Sequence, residues 1–581
     1  MSNLIFACGR EARLAPSEAD LRRIADRIAP ASLAGHPHRV AVGPGLGLCV
    51  TGPQGAAMVQ GISAHLGAFA GTWRDWNLPG APAPDGTFAL VRSNGAEVEL
   101  CSDFAGSRTL WYILTETHFL ASTSQRALVA LLGGLDPNRT AFAWFLSSGN
   151  LGPSDSWDRR LRRLPPASRL VLDRARWRLD LHTEPPVFRP EAMTPAGGRE
   201  GLREVLEVEL RRFDFTSARW GFPLSGGYDC RFILAALVAA GLRPPTMTWG
   251  LAASLRQPGN DAFIARRLAA HFGLSHEYLL TERAAIPPEE VVDRFLAASG
   301  GTTDQLFPYL DGLDLWASFA ARGLDGVIRG DEGFGWIPAR TAEHARRSVG
   351  LVLLRDLLGE AEAEALSDGR QALPEALAQG RDESVAAYRD RLYHAYRIPV
   401  GLAALNDVKA PFVEIASPLL ARGVLGFVRR MPDALRTGKA TFREIAKAAG
   451  PPLPYATMGA DDDRDDYLRS EPYVRWLREE LESPALDGWL PTPWRDRLGA
   501  GLQTGPFPVP PTRSIKAALK RILPGAWVSA ARARLGPARP PERLLALRAA
   551  LASRTLRLLQ ADARTLPGAL RGGERPTSVM K

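Results

Sequence analysis

The stretch that most restricts the fold of this chain is Phe222 to Leu237, "FPLSGGYDCRFILAAL". An apolar, strand-like approach meets Ser225-Gly226-Gly227-Tyr228-Asp229, and an apolar helix-like run follows at once. A strand that turns into a helix through a glycine corner belongs to a parallel α/β sheet, whose ligands bind beyond the carboxyl ends of the strands. The surrounding pattern agrees. From "GGREGLREVLEVELRRF" onward, helix-like segments alternate with the short strands "RWGFPLS", "PTMTWG" and "GVIRG". After Gly350 the pattern is mostly helical.

Upstream of about residue 185 the chain reads differently. Asn94-Gly95 lies between alternating apolar runs and signals a hairpin. "TLWYILTETHFLAST" and "RLPPASRLVLDRARWRLDLH" read as two more strand pairs, and Glu184-Pro185-Pro186 opens a linker. Gly43, Gly45 and Gly47 in "GPGLG" have the wrong spacing for a dinucleotide site and read as loop glycines. The expected division is 1–190, 195–510 and 511–581, the last after the break "GPFPVPP". Residues 511–581 hold 15 Lys+Arg against 3 Asp+Glu, so the net +9 of the 581 residues is concentrated there. In this segment "RLLALRAALASRTLRLL" sets Leu544, Leu547, Leu551 and Leu558 on one helical face.

No apolar run approaches the ~20 residues of a membrane helix. "MSNLIFACGRE" has no basic stretch leading into a long apolar one, and the cysteines (Cys8, Cys49, Cys101, Cys230) are scattered without a CxxC pair. A reducing, cytoplasmic setting is the expectation, without a zinc site or disulfide framework.

The glycine corner has two chemical readings. A strand–glycine–helix unit points backbone N–H groups and the positive end of a helix dipole at an anion, and Ser225 adds a hydroxyl. Asp229 would repel a bare phosphate, which calls for a bridging cation such as Mg²⁺. Taken by themselves, the same residues serve equally as a tight turn with an N-capping aspartate.

Ser225-Gly226-Gly227-Tyr228-Asp229 resembles the SGGxDS pyrophosphate loop of the N-type ATP pyrophosphatases, with Cys230 where the last serine would be. Three further stretches resemble asparagine synthetase motifs: "GVIRGDEGFGW", "DVKAPFVE" and, through Lys439, Phe442 and Arg443, "KATFREIAKAA". "CSDFAGSRTLWY…FLASTSQRALV" is similar to hairpins of the same family's N-terminal half, so the resemblance spans roughly residues 1–450. It implies an α/β fold: an N-terminal glutaminase-like (Ntn-type) domain, a parallel-sheet synthetase domain and a helical C-terminal extension. It implies ATP and Mg²⁺ as cofactors, with Leu224, Ser225, Gly226, Gly227, Asp229, Cys230, Trp249, Gly250, Gly330 and Asp331 around the nucleotide. Asp229 and Asp331 would hold the metal. Asp407, Lys409, Glu414 and Lys439 are the residues it nominates for chemistry.

Glutamine-using members begin Met-Cys-Gly. Ser2 stands here instead, so a glutaminase-like shell without glutamine hydrolysis is expected. The family's late lysine is absent from the acidic "PPLPYATMGADDDRDDYLR", leaving Arg464 or Lys439 as substitutes. Members without the N-terminal cysteine include β-lactam synthetases and the macrolactam-forming cyclases of lasso peptide biosynthesis. The resemblance is strongest to the cyclases, which adenylate an Asp or Glu side chain of a precursor peptide and close a ring on its N-terminal amine. A precursor peptide, a leader peptidase and a leader-binding protein are the partners this implies. The alternatives are an asparagine synthetase-like amidotransferase, a β-lactam synthetase, or a tRNA-modifying enzyme gripping phosphates with the basic tail. The tail lacks interleaved aromatics, so nucleic acid is not the expected partner.

Overall fold

The strand-rich first part folds into two six-stranded antiparallel sheets. One orders Arg162–Arg163, Trp111–Leu114, His118–Ser122, Leu4–Gly9, Leu46–Val50 and Arg39–Gly43; the other orders Arg178–Thr183, Ser168–Asp173, Glu97–Ser102, Gly86–Ser93, Ser63–Phe69 and Met58–Gln60. This architecture comes from a computed structural model that describes residues 3–51, 58–281, 284–367, 371–460, 467–505 and 540–566. The period-2 alternation of a strand divides Leu4–Gly9 cleanly. Leu4, Phe6 and Cys8 face the second sheet, while Ile5 and Ala7 face outward under the helices Glu18–Ile28 and Gln125–Leu132.

The three hairpins legible in the sequence are present. At the first, Gly95 adopts φ +89°, and Asn94 Oδ1 accepts the N–H groups of Ala96 and Glu97. "GPGLG" is a strand–turn–strand corner, with only Gly45 at positive φ and Gly43 and Gly47 inside the paired strands.

The second part contains a five-stranded, all-parallel sheet ordered His276–Leu280, Thr246–Gly250, Trp220–Pro223, Gly326–Ile328 and Glu414–Ala416. In chain order this is 3-2-1-4-5. The first strand is therefore flanked by connections running in opposite directions, and a crevice opens at its carboxyl end. The glycine corner Ser225–Gly227 is the residue stretch at that crevice. Two of the five strands, His276–Leu280 and Glu414–Ala416, are not among those read from the sequence.

The expected C-terminal segment contains the helix Glu542–Asp562, which packs into the body of the chain. Leu547 and Leu551 are buried, but so are Leu545, Leu556 and Leu559 on other faces, and Leu544 and Leu558 only partly so. From Leu545 to Ser553 every face of the helix is buried, as in a core helix, while Arg557, Gln560 and Ala561 near its end are exposed. It packs against Gln125–Leu132 and Arg139–Ser148 of the first part, and against Pro288–Ser299 and Glu471–Leu481 of the second. Its charges are internal pins: Arg548 Nε pairs with Asp304 at 2.7 Å and Nη1 donates to the carbonyls of Leu146 and Ser147. The remainder of the basic tail, 506–539 and 567–581, lies outside the described residues. Among the described residues no helix is long and apolar enough to cross a membrane, and all four cysteines are free thiols.

A candidate active site at the strand switch point

The corner at Ser225 is built by packing as much as by the backbone. Neither glycine has a positive φ: Gly227, the N-cap of the helix Tyr228–Ala239, sits at φ −76°. A Cβ on Gly226 would lie 2.7 Å from Ala456 Cβ and 2.9 Å from Ile264 Cβ, whereas one on Gly227 would meet only Ser225 Oγ at 3.3 Å. The two glycines thus have different causes. We expect Gly226→Ala to destabilise the chain by about 1–3 kcal/mol through overpacking. Gly227→Ala should melt close to the wild type, because its Cβ would meet only Ser225 Oγ; denaturation of both variants checks this.

The Gly226 N–H does not face a phosphate. It donates to Asp261 Oδ1 at 2.9 Å, and the Gly227 N–H donates to Ser225 Oγ at 3.3 Å. Asp229 does not cap the helix either, since no side chain does. That leaves the first-turn N–H groups as the backbone donors at this end.

Leu224, Ser225, Asp229, Cys230, Trp249, Gly330 and Asp331 line one cavity of about 360 Å³. Arg329, Asp261 and Ala460 complete it. Gly330 is a packing glycine, since a Cβ there would lie 2.9 Å from Asp229 Cβ. Trp249 rests edge-on against Trp316 at 5.5 Å between ring centroids. Gly250 does not line the cavity. It adopts φ +153° directly beneath the Ala460 carbonyl, 2.4 Å from where a Cβ would sit. The segment 455–460 therefore roofs the crevice, with Ala456 N–H donating to the Gly226 carbonyl and Leu251 N–H to that of Ala460.

Arg231 holds this roof. It is buried, its guanidinium lies 3.8 Å above the Tyr455 ring, and it donates to the carbonyls of Pro451, Leu453 and Pro454. Tyr455 also stacks on Tyr228 at 3.9 Å.

Lys439 arrives from the fourth motif. Two consecutive left-handed residues, Gly438 and Lys439, start the helix Ala440–Ala449 and aim the ammonium at Glu332 Oε1 (2.8 Å) and Asp229 Oδ2 (3.3 Å). Burial pushes the Asp229 and Glu332 carboxyls above their usual range, with Lys439 opposing the shift in each. Burial also acts on Asp331, but Arg329 and Lys409 outweigh it and hold that carboxyl below its usual range. Arg329 Nη2 lies 3.5 Å from Asp331 Oδ1, and Ser417 Oγ donates to Oδ2 at 3.2 Å.

Three carboxylates thus face two paired cations, Lys439 and Arg329. Burial is the first cause of the raised Asp229 and Glu332 carboxyls, and three carboxylates against two cations leave a deficit of one positive charge. A divalent cation on Asp229 and Asp331 fits that deficit. Among the described residues no group of three His, Cys, Asp or Glu is arranged to hold a metal, so the rest of its shell would be water and phosphate oxygen.

Asp407, Lys409 and Glu414, also nominated for chemistry, are not among the residues lining this cavity. Lys409 is buried, 5.9 Å from the Trp316 ring, and burial together with Arg329 lowers it well below the usual lysine range. Asp407 Oδ2 accepts from Thr109 Oγ1 at 2.6 Å, and burial pushes its carboxyl up to about 6 against the pull of Arg108. Glu414 Oε2 lies 3.3 Å from Arg108 Nη1. Arg108 and Thr109 belong to the first part of the chain, so Asp407 and Glu414 face the junction between the two parts. That loop is anchored by Asp103, which accepts the N–H groups of Phe88, Ala105 and Ser107.

Sequence reasoning overlooked Arg329 and Asp261. Arg329 stood inside the quoted "GVIRGDEGF", one residue past a strand end, where a cation next to an acidic pair is a usable signal. Asp261 carried no local signal. Cys8 is buried in the strand Leu4–Gly9 and its thiol is pushed up to about 11 by burial, which excludes it as a ready nucleophile. Ser2 and Arg464 lie outside the described residues.

No protein-family model matches the chain, and no curated protein matches it. Among solved structures, the glutamine phosphoribosylpyrophosphate amidotransferase from B. subtilis, complexed with ADP and GMP, aligns at 10% identity over 66% of this chain and 94% of that chain. The TM-score is 0.20, too low to establish a shared topology.

Proposed function

We propose that the chain is an ATP-dependent, amide-forming ligase that releases AMP and pyrophosphate, and that its substrate is a peptide carrying both the carboxylate and the amine. The observation supporting this is the meeting of Ser225, Asp229, Arg329 and Asp331 over one cavity at the strand switch point, with Lys439 on its edge. Convergent donors and cations beside paired carboxylates suit a polyphosphate better than a neutral ligand.

In this reading a substrate carboxylate oxygen attacks the α-phosphorus of ATP, the α–β anhydride bond breaks, and pyrophosphate leaves. The helix N–H groups, Ser225, Arg329 and Lys439 balance the charge on that leaving group. Mg²⁺ held by Asp229 and Asp331 would neutralise the phosphates. The amine then attacks the acyl carbon, AMP departs, and the amine's proton passes to Asp407. A macrolactam, formed on the peptide's own N-terminus as in lasso cyclases, is the finer form of the proposal.

The test is a peptide with a free N-terminus and an internal Asp or Glu, assayed with ATP and Mg²⁺. The expected products are AMP, pyrophosphate and a peptide lighter by one water, with glutamine and ammonia without effect. ADP and phosphate would overturn the reading.

A pH profile separates the two steps. Asp407 acts as a base only when ionised, so ring closure should fall as pH drops through about 6, the value to which burial raises it. Pyrophosphate exchange, which reports adenylation alone, should show no inflection there. Asp407→Asn should slow closure and abolish its inflection.

A further inference from the structure

The largest cavity described, about 970 Å³, lies away from the nucleotide site, between the linker at 185–190 and the segment 376–395. We propose that it docks an extended, apolar, positively charged peptide segment.

Its side chains offer acceptors and no uncommitted donor. Five lining residues, Pro165, Pro166, Pro185, Pro186 and Pro190, have no N–H to give. The one lining guanidinium, Arg391, is engaged: Nε and Nη2 bond Glu383, while Nη1 and Nη2 reach the carbonyls of Ala376 and Ala378. Ser384 Oγ donates to Asp433, and Thr183 Oγ1 shares a hydrogen bond with Ser168 Oγ. On the acceptor side stand Asp433, paired with Arg436, and Asp382, which is exposed and has no ion-pair partner among the described residues.

The apolar lining includes Val187, 46% exposed and among the most exposed large hydrophobics of the chain. An occupant must therefore bring apolar side chains, N–H donors and positive charge. An extended basic peptide has all three.

The groove is linked to the loop that carries Glu332 through two side chains, Phe188 and His394. Its wall residue Phe188 packs on His394 at 5.0 Å between ring centroids, and the Arg436 guanidinium covers the same ring. His394 is neutral, lowered to about 3 by burial and Arg429, and its Nε2–H donates to the Gly333 carbonyl at 2.9 Å. A segment docked here is two side chains from the partner of Lys439. That the docked peptide is the ligase's substrate rests on the function proposed above; the docking itself does not.

The test is fluorescence anisotropy of the full chain, without ATP, with a fluorescein-labelled peptide of Leu, Val and Pro interspersed with Lys, and its Glu-for-Lys counterpart. The cationic peptide should bind at least about ten-fold more tightly than the anionic one. Asp382→Lys, at an exposed site, should weaken it by about ten-fold with an unchanged melting midpoint, and adding Val187→Lys should weaken it further. Equal binding of the two peptides, or unchanged binding by both variants, would overturn the proposal. So would a dimer that Val187→Lys dissolves, because the groove would then belong to a second copy. Asp229→Asn should bind the cationic peptide like the wild type, so a failed ATP reading leaves this result legible.

Discussion

If the proposed ligase activity holds, Asp229→Asn and Asp331→Asn will both lower pyrophosphate release by at least about 10²- to 10³-fold, and in either case they will move stability in opposite directions. The sign follows from the carboxyl shifts. Asp229 is raised above its usual range, so its ionised form is less favourable in the folded chain than in the unfolded one. Replacing it by a neutral isostere removes that penalty and leaves Lys439 on Glu332 at 2.8 Å. The Asp229→Asn chain should melt at or slightly above the wild-type midpoint at neutral pH.

Asp331 is held low by Arg329 and Lys409, so its charge is favourable in the fold above the unfolded carboxyl range and is lost as pH falls through the folded value. Asp331→Asn leaves Arg329 without its anion and should melt several degrees lower. Thermal melts beside a pyrophosphate assay test both parts. Normal turnover by a folded Asp229→Asn chain would sink the nucleotide site, and equal melting of the two variants would sink the charge assignment.

The second large effect concerns Asp562. Its carboxylate is fully buried; it bonds Arg126 at 2.7 and 3.1 Å and Arg27 at 2.8 Å. Asp562→Ala strands the buried Arg126 guanidinium, a change worth about 3–5 kcal/mol where one partner of a buried pair is removed. Because the helix Glu542–Asp562 packs on both parts of the chain, the loss should lower the melting of both parts together. Domain-resolved hydrogen exchange would read this as faster exchange in Gln125–Leu132 and in Glu471–Leu481 alike. Faster exchange confined to the C-terminal helix would make it an appendage after all.

What could be read from the sequence is what local forces decide. Period-2 alternation and turn chemistry placed the three hairpins, and the strand–glycine–helix run placed the crevice at Ser225, because backbone conformation there depends on neighbouring residues alone. The family resemblance nominated Leu224, Ser225, Asp229, Cys230, Trp249, Gly330 and Asp331, and they share one cavity because strand ends and the first turn of the following helix meet at one edge of any parallel sheet.

Pairing was beyond the sequence. Asp261 takes the N–H of Gly226 across 35 residues and Lys439 reaches Asp229 across 210, and no local pattern encodes such partners. The glycines show the same limit: the resemblance sets Gly226 and Gly250 around a nucleotide, and nothing local foretells that they pack against Ile264 and Ala456 and against Ala460. The C-terminal helix was legible as a helix from its leucines. Its burial on every face from Leu545 to Ser553 was decided by the elements of both parts that close around it, since a side chain's environment is set by what the rest of the chain brings there.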